Sequence, residues 1–237
     1  MDSKRTVNQD KPETKPGKRQ RPNTSGSEAS SSTTEMDKAP RRPSGRAVRS
    51  PSISPVDYIV SSFRQNGFSG KITMSGDSHL FQPPTEEQIA AYTQDVLRAV
   101  RNKSMEELRL MHEEGRCLQC CNRFGEGLMH MACRRGYLEV VRFLVMDAKV
   151  SLFVRDDYGR TPMHDACWST SPNYELIEFL IRMAPDLLLM SDVRGHTPFA
   201  YVRKEHWKPW VMFLQNNKVL LRSRLEISQI VPVRTVG

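Results

Sequence analysis

The sequence is most informative at first for what it omits. No apolar run in its 237 residues reaches the length needed to span a bilayer, roughly 20 residues, so no membrane partner is expected. The opening residues Met1, Asp2, Ser3, Lys4 and Arg5 lead into polar sequence with no hydrophobic stretch behind them, and no secretory signal is read. Cysteine is scarce: Cys117, Cys120, Cys121, Cys133 and Cys167 are all there are. Without an export signal they are expected to be reduced thiols, and the location cytoplasmic, nuclear or both. Residues 1–55 contain no Leu, Phe, Trp, Tyr or Cys, and the first leucine of the chain is Leu80. Such a segment buries too little apolar surface to offset about 1–2 kcal/mol per residue of backbone ordering. A disordered tail is expected over 1–55.

Charge divides along the same line. Of the net +8, +6 belongs to residues 1–55, which hold 12 Lys/Arg against 6 Asp/Glu. The tail has three readings. Lys15, Lys18, Arg19 and Arg21, and then Arg41, Arg42 and Arg46, resemble basic nuclear-import patches; the segment also reads as solvated low-complexity chain. Nucleic-acid binding is less favoured, because no aromatic side chain interleaves the charges to stack on bases. Ser50-Pro51 and Ser54-Pro55 are candidate proline-directed phosphorylation sites, where phosphate would offset local positive charge.

Residues 56–84 scatter Tyr58, Ile59, Phe63, Phe68, Ile72, Leu80 and Phe81 among glycines and serines. They read as a linker that partly docks on the helical region C-terminal to it. Thr85 then begins regular structure. Thr85 and Gln88 fit a capping box, and Glu86 and Glu87 favour a helix N-terminus. Ile89, Tyr92, Val96, Leu97 and Val100 fall on one helical stripe. A second helix is expected from Ser104, with Met105, Leu108, Leu110 and Met111 inward and Gly115 as its stop.

The most informative feature is a period. Gly125, Leu128, Met129, His130, Ala132 and Cys133 recur 34 residues later as Gly159, Pro162, Met163, His164, Ala166 and Cys167. A third copy, Gly195, Thr197, Pro198, Phe199 and Ala200, comes at an offset of 36, the extra length lying between Trp168 and Asn173. Second helices recur as well, through Phe143-Leu144, Phe179-Leu180 and Phe213-Leu214. This Gly-x-Thr-Pro-x-His-x-Ala core, with Gly136-x-Leu138 after it, closely resembles ankyrin repeats. The resemblance covers residues 85–222. It implies an all-α solenoid of helix pairs with hairpin loops: a cap at 85–118, repeats at 119–152, 153–188 and 189–222, and a C-terminal extension at 223–237.

Local chemistry agrees with that frame. Gly159 and Gly195 suit turns of positive φ. Thr161 and Thr197 are placed to cap the first helices, with Pro162 and Pro198 at the first helical position. Met163 and Leu180 face the shared core. Asp156 and Asp192 occupy the family's hairpin aspartate position, where repeat one has Asn122. Repeat one carries Gly127-Leu128 in place of Thr-Pro and is expected to lose part of its cap. Repeat three has Ala200 where the histidine belongs and then Arg203-Lys204-Glu205, so it reads as a closing cap.

The resemblance implies a non-catalytic protein-binding module or adaptor, a monomer without cofactor. His130 and His164 are implied to hydrogen-bond neighbouring backbone. No serine, cysteine or carboxylate pairs with them at nucleophile–base spacing, and no phosphate-cradling glycine loop is present. Cys117, Cys120 and Cys121, with His130 and Cys133, form the one arrangement resembling a zinc site. A second Cys-x-x-Cys is missing, however, and the alignment places Cys120 and Cys133 in the core. Partner contacts are implied at the hairpin tips: Cys121, Arg123, Phe124 and Glu126, then Arg155, Asp157, Tyr158 and Arg160, then Ser191, Val193, Arg194 and His196. On the first helices they fall to Arg134, Arg135, Trp168 and Lys204. Phe124, Tyr158 and Trp168 stand out, because aromatic and arginine side chains dominate binding hot spots. A regulator that binds nucleic acid or chromatin through the basic tail is the alternative reading.

Overall fold

A computed structural model describes residues 53–65 and 73–223. The expectations for the tail up to residue 52, including both basic patches and Ser50, and for the extension beyond Ser223 lie outside the described residues.

Thr85 opens the array as its neighbours dictate. Its hydroxyl accepts the Gln88 amide at 3.2 Å while the Gln88 side chain accepts the Thr85 amide at 3.2 Å, satisfying two free donors at once. The single stripe expected from Ile89 to Val100 is instead two helices, α2 (Glu86–Ala90) and α3 (Gln94–Asn102). The chain turns between them, with the Thr93 amide donating to Ala91 and the Thr93 hydroxyl to Asp95. Helix α3 ends on Lys103 in the left-handed region, φ 54°. Helix α4 (Met105–Glu113) buries Leu108 and Met111 and is followed by Gly115 at φ 73°. Leu110 is not inward as expected but 55% exposed. Two residues from Leu108 on a 3.6-residue helix, it points to the opposite side.

Two regular repeats come next. The first has α5 (Leu128–Arg134) and α6 (Leu138–Met146), and the second α7 (Pro162–Trp168) and α8 (Tyr174–Met183). Leu128, Met129, Leu144, Met163, Leu176, Ile177 and Leu180 are fully buried between them, as are Cys133 and Cys167. A repeat cannot bury its apolar side alone, so this core is shared by neighbours. The extra residues of repeat two are used. Asn173 accepts the Leu176 amide at 3.1 Å to cap α8 and donates to the Gly136 carbonyl at 2.9 Å, tying its loop back to repeat one.

The third repeat keeps the phase but loses regularity. After the 3₁₀ turn Pro185–Leu189 and strand β2 (Met190–Ser191), its first helix is a single 3₁₀ turn, Pro198–Tyr201. A second 3₁₀ turn, Lys204–His206, leads into α9 (Trp207–Asn216). Trp210 is fully buried there, edge-on to Tyr174, Phe199 and Phe213 at 5.3–5.9 Å.

The segment read as a linker holds more structure than expected. Helix α1 (Pro55–Gln65) is opened by Ser54, whose hydroxyl accepts the Asp57 amide at 3.1 Å. It buries Ile59 and packs against both α9 and the 3₁₀ turn Pro198–Tyr201. Strand β1 (Thr73–Met74) pairs in parallel with β2, Thr73 opposite Met190 and Met74 opposite Ser191. Ser75, buried, donates its amide to Ser191 and its hydroxyl to the Gly159 carbonyl at 2.6 Å. Phe81 then meets Phe153 edge-on. From the third repeat to the second, residues before the array run back along its hairpins as a strap. Among the described residues no helix is long and apolar enough to cross a membrane.

Candidate functional site

The hairpin tips are built by one device used three times. Asn122, Asp156 and Asp192 each accept the amides two and four residues ahead, at 2.8–3.1 Å. A short polar side chain thereby replaces missing backbone partners and fixes the turn. Gly125, Gly159 and Gly195 complete the turns at φ 75–80°. Successive tips are stitched together, because the Asp157 amide donates to the Phe124 carbonyl and the Val193 amide to that of Tyr158. Burial pushes the Asp192 carboxyl up, but the Tyr201 hydroxyl and the His196 and Arg194 amides outweigh it, holding the group below the usual carboxylate range.

The motif histidines tie this frame to the helices. His130 accepts the Gly127 amide at Nδ1, 3.2 Å, and its Nε2 lies 3.1 Å from the Arg160 carbonyl. His164 repeats the arrangement, with the Thr161 amide at 3.1 Å and the His196 carbonyl at 3.0 Å. A ring nitrogen facing a backbone N–H has to accept, so the proton sits on Nε2 and each ring is neutral. Burial lowers the His164 pKa to about 4. Thr161 does not cap the helix through its own oxygen as expected; its hydroxyl lies 2.9 Å from His164 Nδ1. Thr197 makes no side-chain cap either.

On this frame the side chains proposed for contact fall into three groups. Arg123, Arg135, Asp157, Val193, Arg194, His196 and Lys204 are exposed. The three aromatics are exposed too, Phe124 by 49%, Tyr158 by 58% and Trp168 by 41%; they do not vanish into neighbouring hairpins. Glu126, Arg134, Arg155 and Arg160 are half-buried, and Glu126, Arg134 and Arg160 are already in ion pairs. Arg134 bridges Glu126 at 2.7 Å and Asp165 at 3.0 Å. Burial raises the Asp165 pKa against the pull of that guanidinium. Arg160 pairs with Asp156 at 2.5 Å and lies over the Tyr158 ring. The Arg155 guanidinium is turned toward Gly76 of the strap. Cys121 and Ser191, placed at the tips by sequence, are buried, Ser191 because β2 is covered by β1.

Arg203 escaped the sequence reading. Its guanidinium lies 6.0 Å from the Trp168 ring centroid and that of Arg134 5.9 Å, so two cations share one indole. The repeat offset assigns this position to Lys204, but 3₁₀ winding takes fewer residues per turn and brings Arg203 to the ring instead.

Cys120, Cys133 and Cys167 are arranged as core. Burial pushes the Cys120 thiol up to about 12 and raises Cys133 and Cys167 as well, opposite to what a thiolate ligand needs. Among the described residues no group of three or more His, Cys, Asp or Glu side chains is placed to hold a metal ion.

Comparison with known proteins agrees with this geometry. Residues 96–191 match the model of the ankyrin-repeat family in three copies. An 83-residue stretch, 35% of the chain, is 30% identical to the mitochondrial liver isoform of glutaminase from Mus musculus, of which it spans 13%. The matched stretch is thus a small part of that protein. The chain carries a short ankyrin-repeat array. Such repeats are generally protein–protein interaction modules and typically non-catalytic.

Proposed function

We propose that this array is an adaptor that holds a partner protein across its hairpin tips and first-helix face, with no chemistry of its own. The observation that carries the reading is the exposure of Phe124, Tyr158 and Trp168. Phe124 and Tyr158 occupy equivalent tips, and Trp168 the end of α7, the first helix that follows Tyr158. Large aromatics left in water on a rigid repeat frame are what binding hot spots are made of. The surrounding contacts are Arg123, Glu126, Arg134, Arg135, Arg155, Asp157, Arg160, Val193, Arg194 and His196. The tips are rigid before binding, since each is fixed by its own Asn or Asp, so little ordering entropy opposes association.

The test is quantitative affinity capture from cell extract, wild type beside Tyr158→Ala/Trp168→Ala. Both side chains project from formed turns or helix ends, so helical content and urea midpoint are expected to stay unchanged. One or more partners should fall about tenfold or more. Equal recovery with both proteins would remove the tips and first helices as the contact surface.

A further inference from the structure

The two sides of the array differ in charge. The second helices of the two regular repeats set Glu139, Glu175 and Glu178 against Arg142 and Arg182, with Glu178 paired to Arg182. The first-helix side carries Arg135, Arg203 and Lys204, and among the described residues none of these three has a carboxylate within ion-pair distance. Arg203 lies over the exposed Trp168 indole, and Arg135 directly follows Arg134, whose guanidinium is 5.9 Å from the same ring. Guanidinium groups with no carboxylate partner beside an exposed aromatic, even where one also donates to the Trp168 carbonyl as Arg203 does, offer two things at once: donors for carboxylates and an apolar seat.

We infer that the first-helix face around Trp168 docks an acidic peptide segment of another protein. Its carboxylates meet Arg135 and Arg203, and one of its apolar side chains rests on Trp168. This rests on the adaptor reading above and names the class of partner. The chain's own tail is a poor occupant, because residues 1–55 carry a net +6 and are repelled by the same cations. Single-stranded nucleic acid shares the need for cations and aromatics, but its phosphates are continuous, and Glu126 and Asp157 among the tips oppose them. A peptide can place its few carboxylates away from those two.

The experiment is selection of random peptides displayed on phage against the full-length chain. Single selected peptides are then titrated against wild type, Trp168→Ala, Arg135→Glu/Arg203→Glu, and Arg142→Glu on α6 as a control. Circular dichroism is recorded for each variant. The expected result is enrichment of Asp and Glu over the input pool, with affinity falling as salt rises. The double charge reversal should lose about tenfold or more, Trp168→Ala should weaken binding, and Arg142→Glu should do neither. Selected peptides free of acidic enrichment that lose affinity with Trp168→Ala, but not with the charge reversal, would overturn the acidic partner and leave the adaptor surface standing. Acidic peptides indifferent to every variant on this face would overturn both. Failure to select any peptide, or tighter binding of a labelled single-stranded oligonucleotide at the same residues, also counts against the proposal.

Discussion

Repeats two and three start from nearly the same words and end as different structures. Thr161-Pro162-Met163-His164 begins a seven-residue helix, α7, whereas Thr197-Pro198-Phe199-Ala200 yields one 3₁₀ turn. The prolines act alike in both. The histidine does not: His164 accepts the amide that starts its helix and reaches across to the His196 carbonyl, while Ala200 can do neither. Repeat two also has neighbours on both sides, and repeat three has a repeat on one side only. What replaces the missing neighbour is α1, brought from before the array to pack on α9 and Pro198–Tyr201. Thus one repeat is held by chemistry inside its own motif, the other by a segment more than 100 residues away.

The sharpest way to break this difference is to remove the histidine's contribution, and pH does so without mutation. In the folded state the His164 pKa is about 4, against an ordinary 6.5. The folded value is the lower one, so the stabilisation is complete above pH 6.5 and disappears as pH falls from there through 4. Protonation would leave Nδ1–H facing the Thr161 amide. The full difference amounts to about 3 kcal/mol. Urea midpoints should drop across that window for wild type. His164→Gln should be less stable at neutral pH and flatter with acid. Parallel curves for the two proteins would show that His164 is not the group responsible.

The next largest effect should fall on repeat three alone. Ile59→Asp places a charge at the buried face of α1, and lifting the helix off costs less than burying an unpaired carboxylate. A loss of about 2 kcal/mol is expected. Amide hydrogen exchange should quicken over residues 198–216 and hold its wild-type rates in α5 and α7. Uniform quickening along the array would mean that α1 supports the whole stack and not its last repeat.

The contrast also explains which parts of the molecule were legible in the sequence. Turn glycines, the prolines at the helix starts, the hairpin aspartates and the histidines act on residues within a few positions, so their spacing alone marks the repeats. The docking of α1 and β1 is a long-range event. Nothing near Ile59 or Ser75 says that the third repeat and Gly159 will meet them. The break at Tyr92-Thr93 was hidden because both halves keep apolar residues at helical spacing. At the candidate site, repeat phase pointed to positions where the three aromatics and Arg123, Arg135 and Arg194 are exposed. Arg203 was missed because phase fails where α-helix becomes 3₁₀, and the half-burial of Arg155 was not visible because the neighbouring strap is far away in sequence. Cys121 and Ser191 were misplaced for a related reason: tip positions named by alignment carry no information about what lies over them.

Gly127 turns the comparison toward repeat one and gives the smallest effect. Aligned with Thr161, it looks like a defect in the Thr-Pro start, and a consensus replacement would install threonine there. The backbone argues otherwise. A Cβ on Gly127 would stand 2.6 Å from the Cys120 carbonyl oxygen, a clash with main chain that no rotamer relieves. The cap is not missing either, since His130 already accepts the Gly127 amide. What threonine adds in repeat two is a hydroxyl beside His164, a contribution of about 1 kcal/mol at most. Against that stands the shift of a packed hairpin in repeat one, at about 1–3 kcal/mol. Gly127→Thr should therefore lower stability by about 1 kcal/mol, read as a lower urea midpoint at unchanged slope. A raised midpoint would mean that the hairpin yields to the new side chain, and that repeat one differs from repeat two by accident of sequence and not by packing.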